Sequence, residues 1–439
     1  MIVSPAPPSP VASPSSSGPA AGSTPAARAI AGFRKMLAGT PGRLRIAAAV
    51  SVAACLLFGL VAFAAVRNRS NAIADARNHA AQLVRIQDIR SNATQADAAA
   101  TNAFLVGGLE PADERKSYDD GIAGATADIA AASAGSAADS AVLAKTNQVL
   151  AKYAGLMEAA RANNRQGFPI GAAYLRQASN LLRSDALPPL AQEVSVEQVR
   201  ITKAYGNAAR AENALVAILV LAVVVLLFVQ VWLSFRTRRL LSPNLVAATA
   251  IVIVGGVIGI GIMTLAEHSA TVVRSGSLAN TIALATARTD AFDAKSAESL
   301  TLINRGSGEP FEAQYQGLIG DANTGLSGIA DRAPARSSIT ALRTYETAHR
   351  LIRTRDDAGD WDGAVRLATT ADPRGTKTTF TAFDSVSRVS LSDQASHVSD
   401  GLKSARRALG VTAVLLLVAG LAAAILSWRA VAARLREYR

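Results

Sequence analysis

Two arginines are the best-placed residues for chemistry. Arg161 and Arg353 lie 192 positions apart in matching contexts. A guanidinium presents a planar fork of donors, so each is a candidate to grip an anion or the carboxylate of an amino acid. Tyr153 and Tyr345 stand at the same separation and are candidate pocket residues, though Tyr118, Tyr153, Tyr315 and Tyr345 also fit as bulk for an Ala-rich core. Trp361 and Phe168 fit that core role too. Glu110 and Glu309 each precede a proline, where a carboxylate suits the positive end of a helix. No catalytic constellation accompanies these residues. H-E-x-x-H, G-x-S-x-G and C-x-x-C are absent, and there is no Gly-rich phosphate loop. The histidines (His79, His268, His349, His397) have no metal-ligand spacing, and Cys55 is the single cysteine. The expectation is a non-enzyme without cofactor or metal.

The elements that must position these residues are set by four apolar runs. Residues 46–66, 214–235, 245–266 and 409–428 contain no Asp, Glu, Lys or Arg. Each is long enough to cross a bilayer as a helix, the fold that satisfies its own backbone polar groups in lipid. The formal net charge of +12 divides unevenly around them. The three short segments, 1–45, 236–244 and 429–439, together carry +11, whereas 67–213 carries +1 and 267–408 is neutral. An even number of crossings puts the three basic segments on one side. The positive-inside rule makes that side cytoplasmic, with both termini inside and a multi-pass protein in the plasma membrane. Nucleic acid thereby loses its case as a partner. Arg236, Arg238, Arg239, Arg434, Arg436 and Arg439 are candidates to meet anionic lipids or a cytosolic partner. Transport is disfavoured, because Gln230 is the only strongly polar side chain in a span.

The N-terminal tail is Pro/Ser-rich and reads as disordered. Span one reads as a retained anchor, since the apolar run continues well beyond Val52-Ala53-Ala54-Cys55. That tetrapeptide is similar to a lipobox, which leaves lipidation of Cys55 as an alternative to a buried, inert thiol. Gly255-x-x-x-Gly259 offers close helix packing in span three.

The two long segments have a helical pattern and share residues in register. At one offset Leu150, Tyr153, Arg161, Gly167, Gly171, Ala172 and Leu175 match Leu342, Tyr345, Arg353, Gly359, Gly363, Ala364 and Leu367. Gly107-x-x-Glu110-Pro111 matches Gly306-x-x-Glu309-Pro310. This predicts a tandem duplication: two extracytoplasmic antiparallel helical bundles, all-α, with breaks near 107–111, 163–169, 305–309, 331–334, 356–359 and 372–375 and a kink at Pro188-Pro189. Two helices of each bundle run on into the bilayer.

A helical bundle flanked by two spans resembles the sensor region of chemoreceptors and sensor histidine kinases. The ending Trp428–Arg439 resembles the opening of a HAMP linker, without its usual proline and with no output module expected after it. The tandem layout, Pro/Ser-rich start and length resemble GlnX-like actinobacterial membrane proteins. The resemblance implies that an extracytoplasmic solute-binding lipoprotein passes an amino-acid signal through the membrane to a cytosolic protein kinase. It supplies no site residues. The alternatives are a non-sensing scaffold or, less favoured, a transporter component. A homodimer fits bundles of this kind.

Overall fold

The computed structural model describes residues 40–237, 242–329 and 333–436. Among these there is no strand, and four helices are long and apolar enough to cross a membrane. The chain is an all-α, four-span protein.

Helix α1 (Thr40–Val106) is continuous over 67 residues, roughly 100 Å at the usual rise per residue. It begins inside the expected tail, passes through the first span and continues to the far tip of the first bundle. Helices α2 (Ala112–Gly135) and α3 (Ser140–Arg165) complete the hairpin. Helix α4 (Ile170–Leu181) passes through a π-helical turn at Leu182–Ala186 into α5 (Leu187–Thr237), which contains the second span. The kink expected at Pro188-Pro189 is replaced by this wide turn. Both prolines then fall in the first turn of α5, where a missing N–H matters least. Helix α6 (Pro243–Val273) contains the third span and passes through a second π-helical turn, Arg274–Leu278, into α7 (Ala279–Ile303). Helices α8 (Glu309–Ser327), α9 (Ala333–Asp357) and α10 (Trp361–Thr369) follow. Helix α11 (Thr376–Arg436) returns through the fourth span over 61 residues.

The spans pack as a ring, with α1 against α5 and α11, and α6 against the same two. The backbones of α1 and α11 cross closely at Gly59 and Gly420. A Cβ on Gly420 would lie 2.5 Å from the Gly59 Cα. Gly255 and Gly259 face Leu416, while Gly256 takes the Leu219 side chain. Cys55 is buried in this ring, its Sγ 3.5 Å from Ser427 Oγ. Gln230 donates to Thr249 Oγ1 at 2.8 Å, joining α5 to α6. Just beyond the spans, Arg69 on α1 meets Glu267 on α6 at 3.3 Å.

One apolar core runs from the spans (Cys55, Phe58, Leu226, Leu416) into the first bundle (Leu83, Ile86, Leu150, Leu175). The second bundle has a core of its own, around Tyr315, Leu342, Tyr345 and Phe383. The bundles pack side by side, α1 along α7. The two helices are parallel and in register. Gln87 Nε2 donates to Thr286 Oγ1 at 3.2 Å and Ser296 Oγ donates to Asp97 Oδ2 at 2.6 Å, both pairs 199 positions apart. A two-fold pairing of separate chains would bring like positions together in the same way. Here both partners belong to one chain.

Candidate ligand pocket and the polar seam

The tip of the first bundle is closed by a short turn. Gly107 and Gly108 adopt φ of 71° and 61°, a left-handed conformation that glycine enters without steric cost. The turn carries Leu109 and Glu110 over the end of the bundle, and α2 starts behind Pro111. Between this turn and the ends of α1 and α3 lies a cavity of about 330 Å³. Ala100, Ala103, Phe104 and Met157 form its apolar walls, and Glu110, Arg115, Arg161 and Arg165 its polar ones.

Arg161 is the centre of this site. Its side chain is only 10% exposed. The guanidinium lies 3.9 Å over the ring of Tyr118, an arrangement that favours a cation. Nη1 donates to Glu158 Oε1 at 2.6 Å. Nη2 faces Glu110 Oε1 at 3.2 Å as an ion pair, yet neither atom has a hydrogen-bond partner. Glu158 also accepts from Arg115 at 3.3 Å. The sequence-level reading of Glu110 as plain helix-start chemistry therefore misses its second role, as the carboxylate opposite Arg161.

The other candidates lie elsewhere. Tyr153 is wholly buried one layer below and belongs to the seam. Arg353, at the matching position, is held by carboxylates. Its Nη1 and Nη2 donate to Asp356 and Asp357, each at 2.6 Å, and Nε lies 3.6 Å from Glu312. Tyr345 is fully buried against Tyr315 and Phe380. Trp361 takes its core role in part, donating to the Leu302 carbonyl at 2.9 Å beneath Arg305. Phe168 does not. It is 52% exposed, because the α3–α4 turn around Gly167 (φ 73°) carries it off the bundle. Arg238, Arg239 and Arg439 lie outside the described residues, as does the tail 1–39. Arg236, Arg434 and Arg436 fall at the ends of α5 and α11.

The seam between the bundles is polar, and its centre is buried. Asp97, 1% exposed, accepts from four donors. Tyr153 and Ser179 reach Oδ1 at 3.2 and 2.7 Å, and Ser296 and Arg183 reach Oδ2 at 2.6 and 3.3 Å. Arg183 comes from the π-helical turn, a feature often found at functional positions. It also donates to Asp293 at 2.5 Å and Ser296 at 2.9 Å across the seam. Further along, burial raises Asp88 to about 7, with Asp128 adding and Arg288 on α7 opposing. Burial likewise raises Asp290 to about 7 against Arg90 on α1. In the opposite direction, Lys377 on α11 donates to Asp113 at 2.5 Å and lies 3.3 Å from Glu114 on α2.

Three further polar groupings lie in the two bundles. In the second bundle the Glu298 carboxylate, 1% exposed, accepts from Lys295 at 2.5 Å and Thr376 at 2.7 Å and bonds His349 Nδ1 at 2.8 Å. In the first, Asp139, Glu193 and Glu197 bring three buried carboxylates within 4.8 Å of one another. Arg200 contacts all three, so the protein supplies the countercation itself. On the second bundle a wide groove of about 830 Å³ is lined by threonines and by Arg343, Arg350 and Arg374.

Known proteins bear on one of these regions. Residues 72–206 match the actinobacterial sensor domain family. The match begins on α1 beyond the first span and ends on α5 before the second, so it coincides with the first bundle. It takes in the cavity, Asp97 and Arg183. No curated protein matches the chain. The matched region thus contains the cavity around Arg161.

Proposed function

We propose that the protein is a transmembrane sensor. Its bundles lie outside the plasma membrane, receive an amino-acid signal from a solute-binding lipoprotein, and relay it to a cytosolic Ser/Thr kinase recruited at the basic inner segments. One observation carries the reading: the sensor domain's pocket is walled by α1, the same unbroken helix that crosses the membrane. A displacement of 1–2 Å at the tip is carried along such a rod instead of being absorbed in a loop. The apolar core shared by the first bundle and the spans supports the same coupling. The in-register pairing of α1 with α7 supports a duplicated ancestry, with an intramolecular seam where two subunits would otherwise meet. The basic groove on the second bundle suits an acidic face of the lipoprotein.

The test is recruitment. Solubilised protein is expected to capture the lipoprotein and the kinase together, and its deletion to abolish the kinase's response to external amino acids. A response that persists in the deletion strain sinks the relay. The topology is checked by labelling single cysteines introduced at 109 and 240 from outside the cell. Only the first should react.

A further inference from the structure

We infer that the cavity at the tip of the first bundle binds a small monocarboxylate directly, a proposal that rests on the sensor reading and names what the sensor domain holds. Three observations converge. The cavity is lined by three cations, Arg115, Arg161 and Arg165, and one carboxylate, Glu110, with Glu158 and Asp119 pairing to two of these arginines from outside the lining. Arg161 is nine-tenths buried, and its Nη2 has no hydrogen-bond partner. Its tilt is fixed by the Tyr118 ring and Nη1 is held by Glu158, so the Nη2 edge, which meets Glu110 as an ion pair without a hydrogen bond, is preorganised. A carboxylate offers two coplanar oxygens to that edge and matches the fork better than a single-point anion does.

The remaining walls choose the body of the ligand. Phe104, Met157 and the two alanines are apolar, and the volume of about 330 Å³ sits at the small end of ligand pockets. Inorganic phosphate would leave these walls wet. A short branched aliphatic chain covers them. Glu110 Oε1, itself without a hydrogen-bond partner, stands 3.2 Å from Arg161 Nη2. It repels a second carboxylate and accepts a hydrogen bond from a hydroxyl or ammonium beside the first. The ligand therefore joins the ends of α1, α2 and α3.

The experiment is calorimetric titration of the solubilised full-length protein with isovalerate, 2-hydroxyisovalerate, isovaleramide and inorganic phosphate. Isovalerate is expected to bind, the 2-hydroxy acid more tightly. The neutral amide and phosphate should be weaker by roughly tenfold or more, the worth of a hydrogen bond to a charged group. Arg161→Gln should weaken acid binding by about tenfold to a hundredfold, and Arg353→Gln should leave it unchanged. Ala103→Leu fills the cavity without touching a charge and should abolish binding. Equal binding of acid and amide, binding that survives Ala103→Leu, or no binding of any acid overturns the proposal. Absent binding with intact kinase recruitment sinks the site and spares the relay. Intact binding with no recruitment does the reverse.

Discussion

The two bundles treat the same position in opposite ways. In the first, Tyr118 carries a guanidinium on its face, and beside it Met157 leaves room for a cavity. In the second, His349 occupies the position that matches Met157 in the 192-residue register. Its ring stacks on Tyr315 with centroids 3.5 Å apart, and its nitrogens engage Glu298 at 2.8 Å and Glu312 at 3.2 Å. Arg161 donates to Glu158 and faces Glu110 at 3.2 Å without a hydrogen bond from Nη2, while both Nη atoms of Arg353 donate to carboxylates. The difference separates two tasks. A network of hydrogen-bonded charges such as that around His349 is rigid and specific, and an ion pair that makes no hydrogen bond beside a cavity can gain contacts from a ligand. The core that the first bundle shares with the spans also takes in Leu300 and Leu402 of the second, the rest of whose core is separate.

The largest expected effect breaks the rigid half. Glu298→Ala strands Lys295 and His349, both at most 4% exposed, without their common carboxylate. Removing one member of a buried ion network costs about 3–5 kcal/mol. Amide exchange should speed up across α7, α9 and α11 and stay nearly unchanged in α2 and α3. Equal loosening of both bundles would show that they are one cooperative unit. Next comes Asp97→Ala, which removes the acceptor of four buried donors but leaves Arg183 its bond to Asp293. The expected cost is about 2–4 kcal/mol, read as lost exchange protection along α1 and α7 together. A loss confined to α1 would deny the seam its role in joining the halves.

Much of this architecture can be read from residue types, and the reason is physical. A charge-free run long enough to cross a bilayer has few other uses, and short basic flanks report topology. Both signals are local. The 192-residue register also points to Arg161, because a duplicated chain repeats its cations along with its core. The seam is not legible in this way. Asp97 meets Ser179, Arg183 and Ser296 at separations of 82, 86 and 199 residues. In Ala-rich helices one more aspartate looks like a solvated face until the packing is known. His349 is hidden by the same logic. A lone histidine has no spacing to a metal or a nucleophile, and its partners come from α7 and α8. Phe168 misleads in the other direction, since an aromatic beside Gly167 is carried out by the turn and does not pack inward.

A pH series sharpens the contrast between the halves. Burial opposes charge on His349, but the Glu298 and Glu312 carboxylates outweigh it and raise its pKa above the ordinary 6.5. A raised folded-state pKa stabilises in full below the unfolded value and is lost as pH climbs through the folded one. Glu298 works the other way. Burial raises it, yet Lys295 and His349 prevail and hold it near 2, so its contribution is present above the ordinary 4.5 and fades only as pH falls towards about 2. The second bundle should hence loosen on the alkaline side. Trp361, the one tryptophan outside the spans, reports it by fluorescence. His349→Met, which copies the first bundle, should flatten the alkaline limb. An unchanged limb in that variant assigns the titration to another group.

The smallest effect concerns the two cations that cross the seam in opposite directions. Arg183 from the first bundle is 14% exposed, and its partners Asp97 and Asp293 are 2% and 12% exposed. Lys377 from the second is 24% exposed, and of its partners Asp113 is 64% exposed and Glu114 11%. The crossings look reciprocal but their surroundings are not. A pair open to solvent contributes about 0.2–1 kcal/mol and is screened by salt, whereas a buried pair leaves a desolvated charge behind when one partner is removed. Lys377→Gln should therefore shift the melting temperature only slightly, and the shift should shrink at high ionic strength. Arg183→Gln should cost several times more and be indifferent to salt. If the two substitutions cost the same, the seam is energetically symmetric, and the division between a responsive first bundle and a locked second one cannot originate there.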